Sequence, residues 1–285
     1  MTINENYALS NGVQIPKLGL GTWFIEDGKA AQAVRDAVGI GYRHIDTAQA
    51  YGNERGVGEG IRTCGIAREQ LFVTTKLAAE IKSYNEAVKA VEGSLAKMGL
   101  DYIDLMLIHS PQPWNDFRGG DYAQGNREAW RAMEEADQAG KLRSIGVSNF
   151  TQQDIDNILS GSEIAPMVNQ LLVHIGNTPL ALIGYCNSKD ILVQAYSPIA
   201  HGAMLNSLAV KSIADAYDVT VAQLCIRYTL QLGTQPLPKT ANPQHMLENA
   251  QVDFIISDDD MEKLKHMERF KDYGEYSVFP VFSGE

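Results

Sequence analysis

One segment decides how this chain folds: HIDTAQAYGNE, from His44 to Glu54. The residues up to Asp46 have the pattern of a strand, and the residues from Gly52 lead into an amphipathic helix. Between them, a turn-rich loop carries Tyr51. Where parallel strands alternate with helices, catalytic side chains collect at the carboxyl ends of the strands. This carboxylate and this phenol can therefore share one pocket, although the carboxylate could also cap a turn and the phenol could be a half-buried aromatic residue.

The composition restricts the class of protein. At 285 residues and 45% hydrophobic, the chain can bury a full core. A net charge of -11 and a pI near 5.0 argue against a nucleic-acid-binding protein, because no basic surface would hold the phosphates. Three widely spaced cysteines, Cys64, Cys186 and Cys225, indicate neither a disulfide framework nor a zinc site. No apolar run reaches about 18 residues and no signal pattern is present, so we expect a soluble cytoplasmic protein with no membrane partner.

Short apolar strands alternate with helical segments eight times, without a break in composition. The strand at 103–108 is almost wholly apolar, as expected for a strand buried on both faces. Before the first strand, Asn11-Gly12 predicts a hairpin with a two-residue turn and positive φ angles. Eight strand–helix units and this length favour an α/β fold, a (β/α)8 TIM barrel with the N-terminal hairpin closing its bottom. We expect residues 1–285 to form a single domain.

Two further stretches deviate from a simple strand–helix alternation. The segment 111–125 is a polar loop too long to be only a connector. The glycines of 56–60 lie inside a helical pattern and lack the spacing of a dinucleotide-binding fingerprint, so they indicate close packing of the helix.

Polar side chains interrupt the apolar strands where the strands end. They are Asp46, Lys76, His109, Asn149, Gln170, Tyr196 and Lys239. In a barrel, these ends converge on one rim. One charged strand end is more often a turn residue than a functional one, but four ionisable groups on three successive strands and the Tyr51 loop are harder to explain in that way.

The chemistry of these groups fits the reduction of a carbonyl. Lys76 beside Asp46 would stay charged, and its ammonium would favour the phenolate of Tyr51, lowering a phenol pKa of about 10. Such a phenol can donate a proton to a carbonyl oxygen as hydride arrives at the carbon. His109 could orient that oxygen through a neutral hydrogen bond. The sequence has no Gly-x-Ser-x-Gly elbow and no HExxH pattern, so we predict neither a serine hydrolase nor a metal site.

Several spaced motifs resemble those of the aldo-keto reductase family, and of its bacterial diketogluconate-reductase-like branch. In chain order they are LGLGTW from Leu18, DTA-x-x-YGNE from Asp46, Lys76 after a strand, His109 with Pro111, GVSNF from Gly146, Asn169-Gln170, Tyr196-Ser197-Pro198 and Pro238-Lys239-Thr240. The motifs follow the order of the family and cover about residues 9 to 270. The resemblance implies a barrel that binds a nicotinamide dinucleotide without a Rossmann unit and reduces aldehydes and ketones.

The resemblance also implies roles for individual residues. Tyr51 would be the proton donor, tuned by Lys76 and Asp46, and His109 would orient the substrate. Ser148, Asn149 and Gln170 would hold the carboxamide of the cofactor, and Tyr196 would stack on the nicotinamide ring. The other expected cofactor contacts are Thr22, Trp23, Ser197, Asn242, His245, Glu248 and Asn249, with Lys239 and Thr240 at the adenosine 2′-phosphate.

Three positions depart from the pattern of the family. Ala78 and Ser110 stand where tryptophan is frequent, so we expect a wider and more polar substrate pocket. His245 stands where an arginine is common, and a neutral imidazole lacks the forked donors that grip a phosphate. We therefore predict an NADPH-preferring reductase of small or sugar-derived carbonyls that also uses NADH.

Two other classes of function compete with this one. A cofactor-binding regulatory or scaffold barrel with slow turnover would be favoured by loss of Tyr51, Lys76 or Asp46, and the sequence retains all three. A barrel hydrolase or isomerase would need paired carboxylates or a metal site at the rim. We expect a monomer or a dimer whose only partner is a small-molecule carbonyl substrate.

Overall fold

The computed structural model describes residues 1–283 of the chain. Its strands are β1 (Asn6–Ala8), β2 (Gln14–Pro16), β3 (Leu20–Gly21), β4 (His44–Asp46), β5 (Phe72–Leu77), β6 (Leu105–Ile108), β7 (Ile145–Ser148), β8 (Val168–Leu172), β9 (Leu192–Tyr196) and β10 (Gln235–Leu237). Its α-helices are α1 (Asp27–Ile40), α2 (Glu54–Thr63), α3 (Tyr84–Met98), α4 (Ala123–Gln138), α5 (Gln152–Leu159), α6 (Leu180–Ser188), α7 (Leu208–Ala216), α8 (Val221–Gln231), α9 (Pro243–Ala250) and α10 (Asp258–Lys265).

Strands β3 to β10 form one parallel sheet in chain order. The sheet closes on itself because the backbone N–H groups of Gly19 and Gly21 donate to the carbonyls of Pro236 and Pro238, at 3.2 and 3.0 Å. Glycine is needed at this seam, since a Cβ at Gly19 would lie 2.6 Å from a methyl of Leu237. The predicted (β/α)8 barrel is confirmed.

The N-terminal hairpin packs beneath the barrel. Strands β1 and β2 pair antiparallel, and the hairpin contributes Leu9 and Ile15 to an apolar cluster with the lower ends of the barrel strands. The predicted two-residue turn is wrong. The backbone N–H of Leu9 donates to the carbonyl of Val13 at 2.9 Å, and among the turn residues only Gly12 has a positive φ, 83°. A three-residue loop of this type needs one left-handed residue rather than two.

Two irregular segments border the mouth of the barrel. The loop after β6 contains a short 3₁₀ turn, Trp114–Asp116, and ends earlier than predicted, because α4 already begins at Ala123. The tail after α10 forms two further 3₁₀ turns, Gly274–Val278 and Pro280–Phe282. Within residues 1–283, the structure has no helix with the length and hydrophobicity that a membrane span requires.

Candidate active site

A cavity of about 740 Å³ opens at the carboxyl ends of the barrel strands. It is lined by nearly all the residues predicted for catalysis and cofactor binding: Thr22, Trp23, Asp46, Tyr51, His109, Ser148, Asn149, Gln170, Tyr196, Ser197, Lys239, Thr240, His245, Glu248 and Asn249. Two predicted residues lie outside this lining. Lys76 is fully buried behind it. Asn242 caps α9 instead, where its Oδ1 accepts from the backbone N–H of Gln244 at 2.9 Å.

Lys76 joins the carboxylate and the phenol. Its Nζ lies 2.7 Å from Asp46 Oδ1, 2.8 Å from the carbonyl of Thr47 and 3.3 Å from the Tyr51 hydroxyl. Each of the three N–H bonds of the ammonium therefore has one acceptor. Because the phenolic oxygen of Tyr51 accepts from the ammonium, its own O–H remains available to the cavity.

The net pKa shift of Tyr51 is upward, which is opposite to the prediction. Burial of the phenol is the largest cause, and the Asp46 carboxylate and the nearby Tyr196 raise the pKa further. Burial also lowers the pKa of Lys76, and the charge of Asp46 opposes that shift. The desolvation of the phenol outweighs the ammonium beside it. Tyr51 is consequently protonated at neutral pH, as a proton donor has to be.

His109 lies on the other side of the phenol. Its ring is edge-on to Tyr51 and to Trp114, with centroids 5.7 and 5.1 Å apart. Burial and the charge of Lys76 hold the pKa of His109 well below its usual range, so the imidazole is neutral. Its Nδ1 is buried and finds no hydrogen-bond partner among residues 1–283. A neutral imidazole does not supply the proton, but it can hydrogen-bond to a carbonyl oxygen.

Amide and hydroxyl groups from β7, β8 and β9 surround the inner part of the cavity. Ser148 Oγ donates to the backbone carbonyl of Gln170 at 2.9 Å, and Asn149 Nδ2 donates to the carbonyl of His109 at 3.1 Å. The hydroxyl of Tyr196 donates to Asn149 Oδ1 at 2.8 Å. Asn149 takes a left-handed φ of 62° at its strand end, a conformation asparagine tolerates well. A flat aromatic ring beside fixed amides suits a ring that carries a carboxamide, so these residues fit a nicotinamide.

The outer end of the cavity suits a phosphate. Lys239 and Thr240 follow β10 there, and His245, Glu248 and Asn249 come from α9. Lys239 makes no ion pair with any residue that the structure describes, and partial burial lowers its pKa. An unpaired ammonium and a hydroxyl on successive residues are suitable partners for a phosphate group.

Aromatic side chains that no sequence motif identifies form the remaining wall. They are Phe24, Trp114, His201, Tyr276, Phe279 and Phe282. Ala78 and Ser110 add no aromatic wall, and Trp114 from the following loop lines the cavity beside His109. The length of that loop was the one sequence signal for this contribution. That the tail covers the mouth follows only from the tertiary structure.

The part of the chain that the structure describes contains no group of three or more His, Cys, Asp or Glu placed to hold a metal ion. The cavity therefore combines a buried phenol–ammonium–carboxylate arrangement, a neutral imidazole, a set of amides and a free ammonium.

Comparisons with known proteins agree with this geometry. The profile of the Aldo/keto reductase family matches residues 17–269. A glyoxal reductase of Bacillus subtilis is 40% identical over 265 residues, which are 92% of each chain. An aldo/keto reductase crystal structure from Brucella melitensis superimposes with a TM-score of 0.85 at 37% identity, covering 91% of this chain and 96% of the other. The crystal structure of a Bombyx mori aldo-keto reductase in complex with NADP has a TM-score of 0.86 at 34% identity, covering 97% and 98%.

Proposed function

Because the chain belongs to the aldo/keto reductase family, we propose that it reduces small aldehydes and ketones to alcohols with NADPH, using Tyr51 as the proton donor. The observation that carries the proposal is the Tyr51 hydroxyl, which accepts from Lys76 and faces the cavity beside the amides of β7 and β8.

Residues of the chain supply the proton, stabilise the phenolate and orient the substrate. A reduced nicotinamide, when bound, supplies the hydride. Tyr51 gives its proton to the carbonyl oxygen, and the phenolate that remains is stabilised by the Lys76 ammonium 3.3 Å away. Asp46 holds that ammonium in place at 2.7 Å. Neutral His109 donates a hydrogen bond to the same carbonyl oxygen and so orients it.

The walls of the cavity favour small carbonyls with few hydroxyl groups. Trp23, Phe24, Trp114 and Phe279 supply aromatic surface, against which the hydroxyls of a sugar-derived aldehyde would lose hydrogen bonds to water. A relative that is 40% identical is a glyoxal reductase, which makes small dicarbonyls the first substrates to test.

The outer end of the cavity favours NADPH while leaving NADH usable. Lys239 and Thr240 offer an ammonium and a hydroxyl to a 2′-phosphate, and a structural neighbour was solved with NADP. His245 lines the same end without the forked donors of an arginine. The preference for NADPH over NADH is therefore expected to be moderate.

Replacing Tyr51 by phenylalanine tests the proposal. We expect Tyr51→Phe to reduce kcat by about 10²–10⁴, the usual span for the loss of a positioned proton donor, with little change in cofactor affinity. The measurement is carbonyl-dependent oxidation of NADPH and of NADH over a panel that includes glyoxal and a sugar-derived aldehyde.

The matched control is Tyr84→Phe, which removes a phenol that hydrogen-bonds Glu135 on the surface. It should leave kcat within about twofold of the wild type, since surface substitutions away from special contacts have small effects. A Tyr51→Phe protein as active as the control would refute the assignment of the proton donor. The reductase function would be refuted if the wild type bound NADPH and no carbonyl of the panel caused its oxidation.

A further inference from the structure

A continuous line of buried polar side chains runs from the proposed active site through the interior of the barrel. Its members are Asp46, Gln170, Gln194, Gln235, His44 and Thr74, none more than 3% exposed. Barrel interiors are filled mainly by branched apolar side chains, and a buried polar group costs free energy unless it is hydrogen-bonded. Packing alone therefore does not explain this line.

The upper half of the line begins at the catalytic carboxylate. Gln170 Nε2 donates to Asp46 Oδ2 and to Gln194 Oε1, both at 2.9 Å. Gln194 Nε2 donates onward to Gln235 Oε1 at 2.6 Å. Both hydrogens of the Gln170 amide nitrogen are thus used inside the protein.

The lower half ends beneath the barrel. Gln235 Nε2 donates to the carbonyl of Pro16 in β2 and to Nδ1 of His44, the second contact at 2.8 Å. His44 Nε2 lies 2.8 Å from Thr74 Oγ1. Because Nδ1 accepts, these partners assign the ring hydrogen to Nε2. Burial lowers the pKa of His44 to about 3, so the ring stays neutral.

The two ends of the line fix the orientation of all three amides. The carboxylate of Asp46 and the carbonyl of Pro16 can only accept, so the amide nitrogens of Gln170 and Gln235 must face them. Each constraint requires the same orientation of Gln194, with its Oε1 toward Gln170 and its Nε2 toward Gln235. Turning any one amide over would bring two acceptors together and leave both unpaired, at a cost of about 1–3 kcal/mol for each buried group.

One group of Gln170 is left for the cavity. Its Oε1 accepts no hydrogen bond from the residues that the structure describes, and it is not sealed off from the cavity. We propose that Gln194, Gln235 and His44 are positioning residues for cofactor binding. They hold Gln170 so that its Oε1 accepts a hydrogen bond from the carboxamide nitrogen of a nicotinamide. This inference rests on the proposed function of the cavity.

The test separates the nicotinamide half of the cofactor from the adenosine half. Gln194→Met keeps the side chain long and removes both of its hydrogen bonds, which leaves the Gln170 amide held by Asp46 alone. We expect the Kd for NADPH, from a fluorescence titration, to rise about tenfold, as for one lost hydrogen bond. The Kd for adenosine 2′,5′-bisphosphate, which has no nicotinamide, should stay within about twofold.

Two further variants control for packing. Gln231→Met removes an amide on α8 that holds the backbone of Ile256 at 2.9 and 2.7 Å, and it should leave both Kd values unchanged. Gln194→Glu restores the line when its carboxyl is neutral, because the acid can donate its O–H to Gln235 and accept from Gln170. At pH 6 it should bind NADPH within about threefold of the wild type, since burial favours the neutral acid.

The inference is overturned if Gln194→Met weakens both ligands equally or neither, or if Gln194→Glu binds NADPH no better than Gln194→Met at pH 6. Should Gln194→Met not fold, Gln235→Met breaks the line one residue further down and must give the same separation between the two ligands. Failure of the proposed function looks different, because a wild type without carbonyl-dependent turnover would still show this pattern of binding.

Discussion

In the proposed mechanism, the ammonium of Lys76 acts on a single residue, Tyr51, before and after the proton moves. Before transfer, burial keeps the phenol protonated although the ammonium lies 3.3 Å away. After the proposed transfer, the same ammonium would stabilise the phenolate 3.3 Å away. Asp46, which takes one N–H of the ammonium at 2.7 Å, raises the pKa of the phenol and holds the ammonium in position. We therefore expect Lys76 and Asp46 to act as a unit.

A double-mutant cycle tests this unit. Lys76→Met should lower kcat and raise the pKa of Tyr51 further, since it removes the cation that lies 3.3 Å from the phenol. Asp46→Asn should then cost much less activity in the Lys76→Met background than in the wild type, because residues that act together are non-additive. Steady-state kinetics of the four proteins between pH 6 and 10 check the prediction.

The control for this cycle is Lys97→Met, which breaks a partly exposed pair with Glu54 at 3.5 Å. It should leave kcat and the pH profile unchanged. Additive effects of the Lys76 and Asp46 substitutions would contradict the pairing.

At the scale of the element, helix α2 positions the loop that carries Tyr51. Its glycines pack against neighbouring backbone: a Cβ at Gly56 would lie 2.1 Å from the carbonyl oxygen of Asp27, and one at Gly58 would lie 2.2 Å from that of Met98. Asn53, just before the helix, donates its amide hydrogens to two carbonyls of the loop after β3, each at 2.9 Å. The close packing predicted for these glycines is confirmed.

A pair of glycine-to-alanine variants tests the packing of α2. Gly58→Ala should destabilise the protein by about 1–3 kcal/mol, the usual cost of overpacking, despite the better helix propensity of alanine. Gly93→Ala, inside α3 where a Cβ would meet nothing within 4 Å, should stabilise it by about 0.5–1 kcal/mol. Urea denaturation measures both free energies of unfolding. If the two substitutions had equal effects, the backbone of Met98 would move away from the new Cβ at little cost in free energy.

At the scale of the whole molecule, four histidines whose pKa values are lowered by burial make the fold sensitive to acid: His44, His109, His174 and His201. His44, in β4, hydrogen-bonds to Gln235 in the line of buried polar side chains. His174 Nε2 lies 2.9 Å from the hydroxyl of Tyr273 in the tail. Neither ring is exposed, and burial lowers the pKa of His44 to about 3 and that of His174 to about 4. An unfolded histidine has a pKa of about 6.5.

Stability should therefore fall as the pH drops from about 6.5 toward 4. In that range the unfolded chain binds protons on these histidines that the folded chain does not, so acid favours unfolding by up to about 1.4 kcal/mol per pH unit for each ring. Urea denaturation at pH 7, 6 and 5 measures the slope. His174→Gln should make the fall less steep, and a slope equal to that of the wild type would contradict this origin of the acid sensitivity.

The sequence by itself determined the barrel and the order of its strand ends. Strand and helix periodicity are local properties. Eight strand–helix units can form one parallel sheet covered by helices in only a few ways. Because the carboxyl ends of such strands meet at one rim, the sequence alone places Asp46, His109 and Gln170 in one cavity, where the structure has them. The sequence predicts the position of the turn at Gly12 correctly and its length wrongly.

Only the tertiary structure decided the electrostatics and the walls of the site. The sign of the Tyr51 pKa shift depends on how much water the fold removes, which no local pattern reports. Trp114 and the tail residue Phe279 reach the cavity through loops whose paths depend on distant contacts. Gln194 and Gln235 lie 41 residues apart in the chain, and they meet because two neighbouring strands align them inside the barrel.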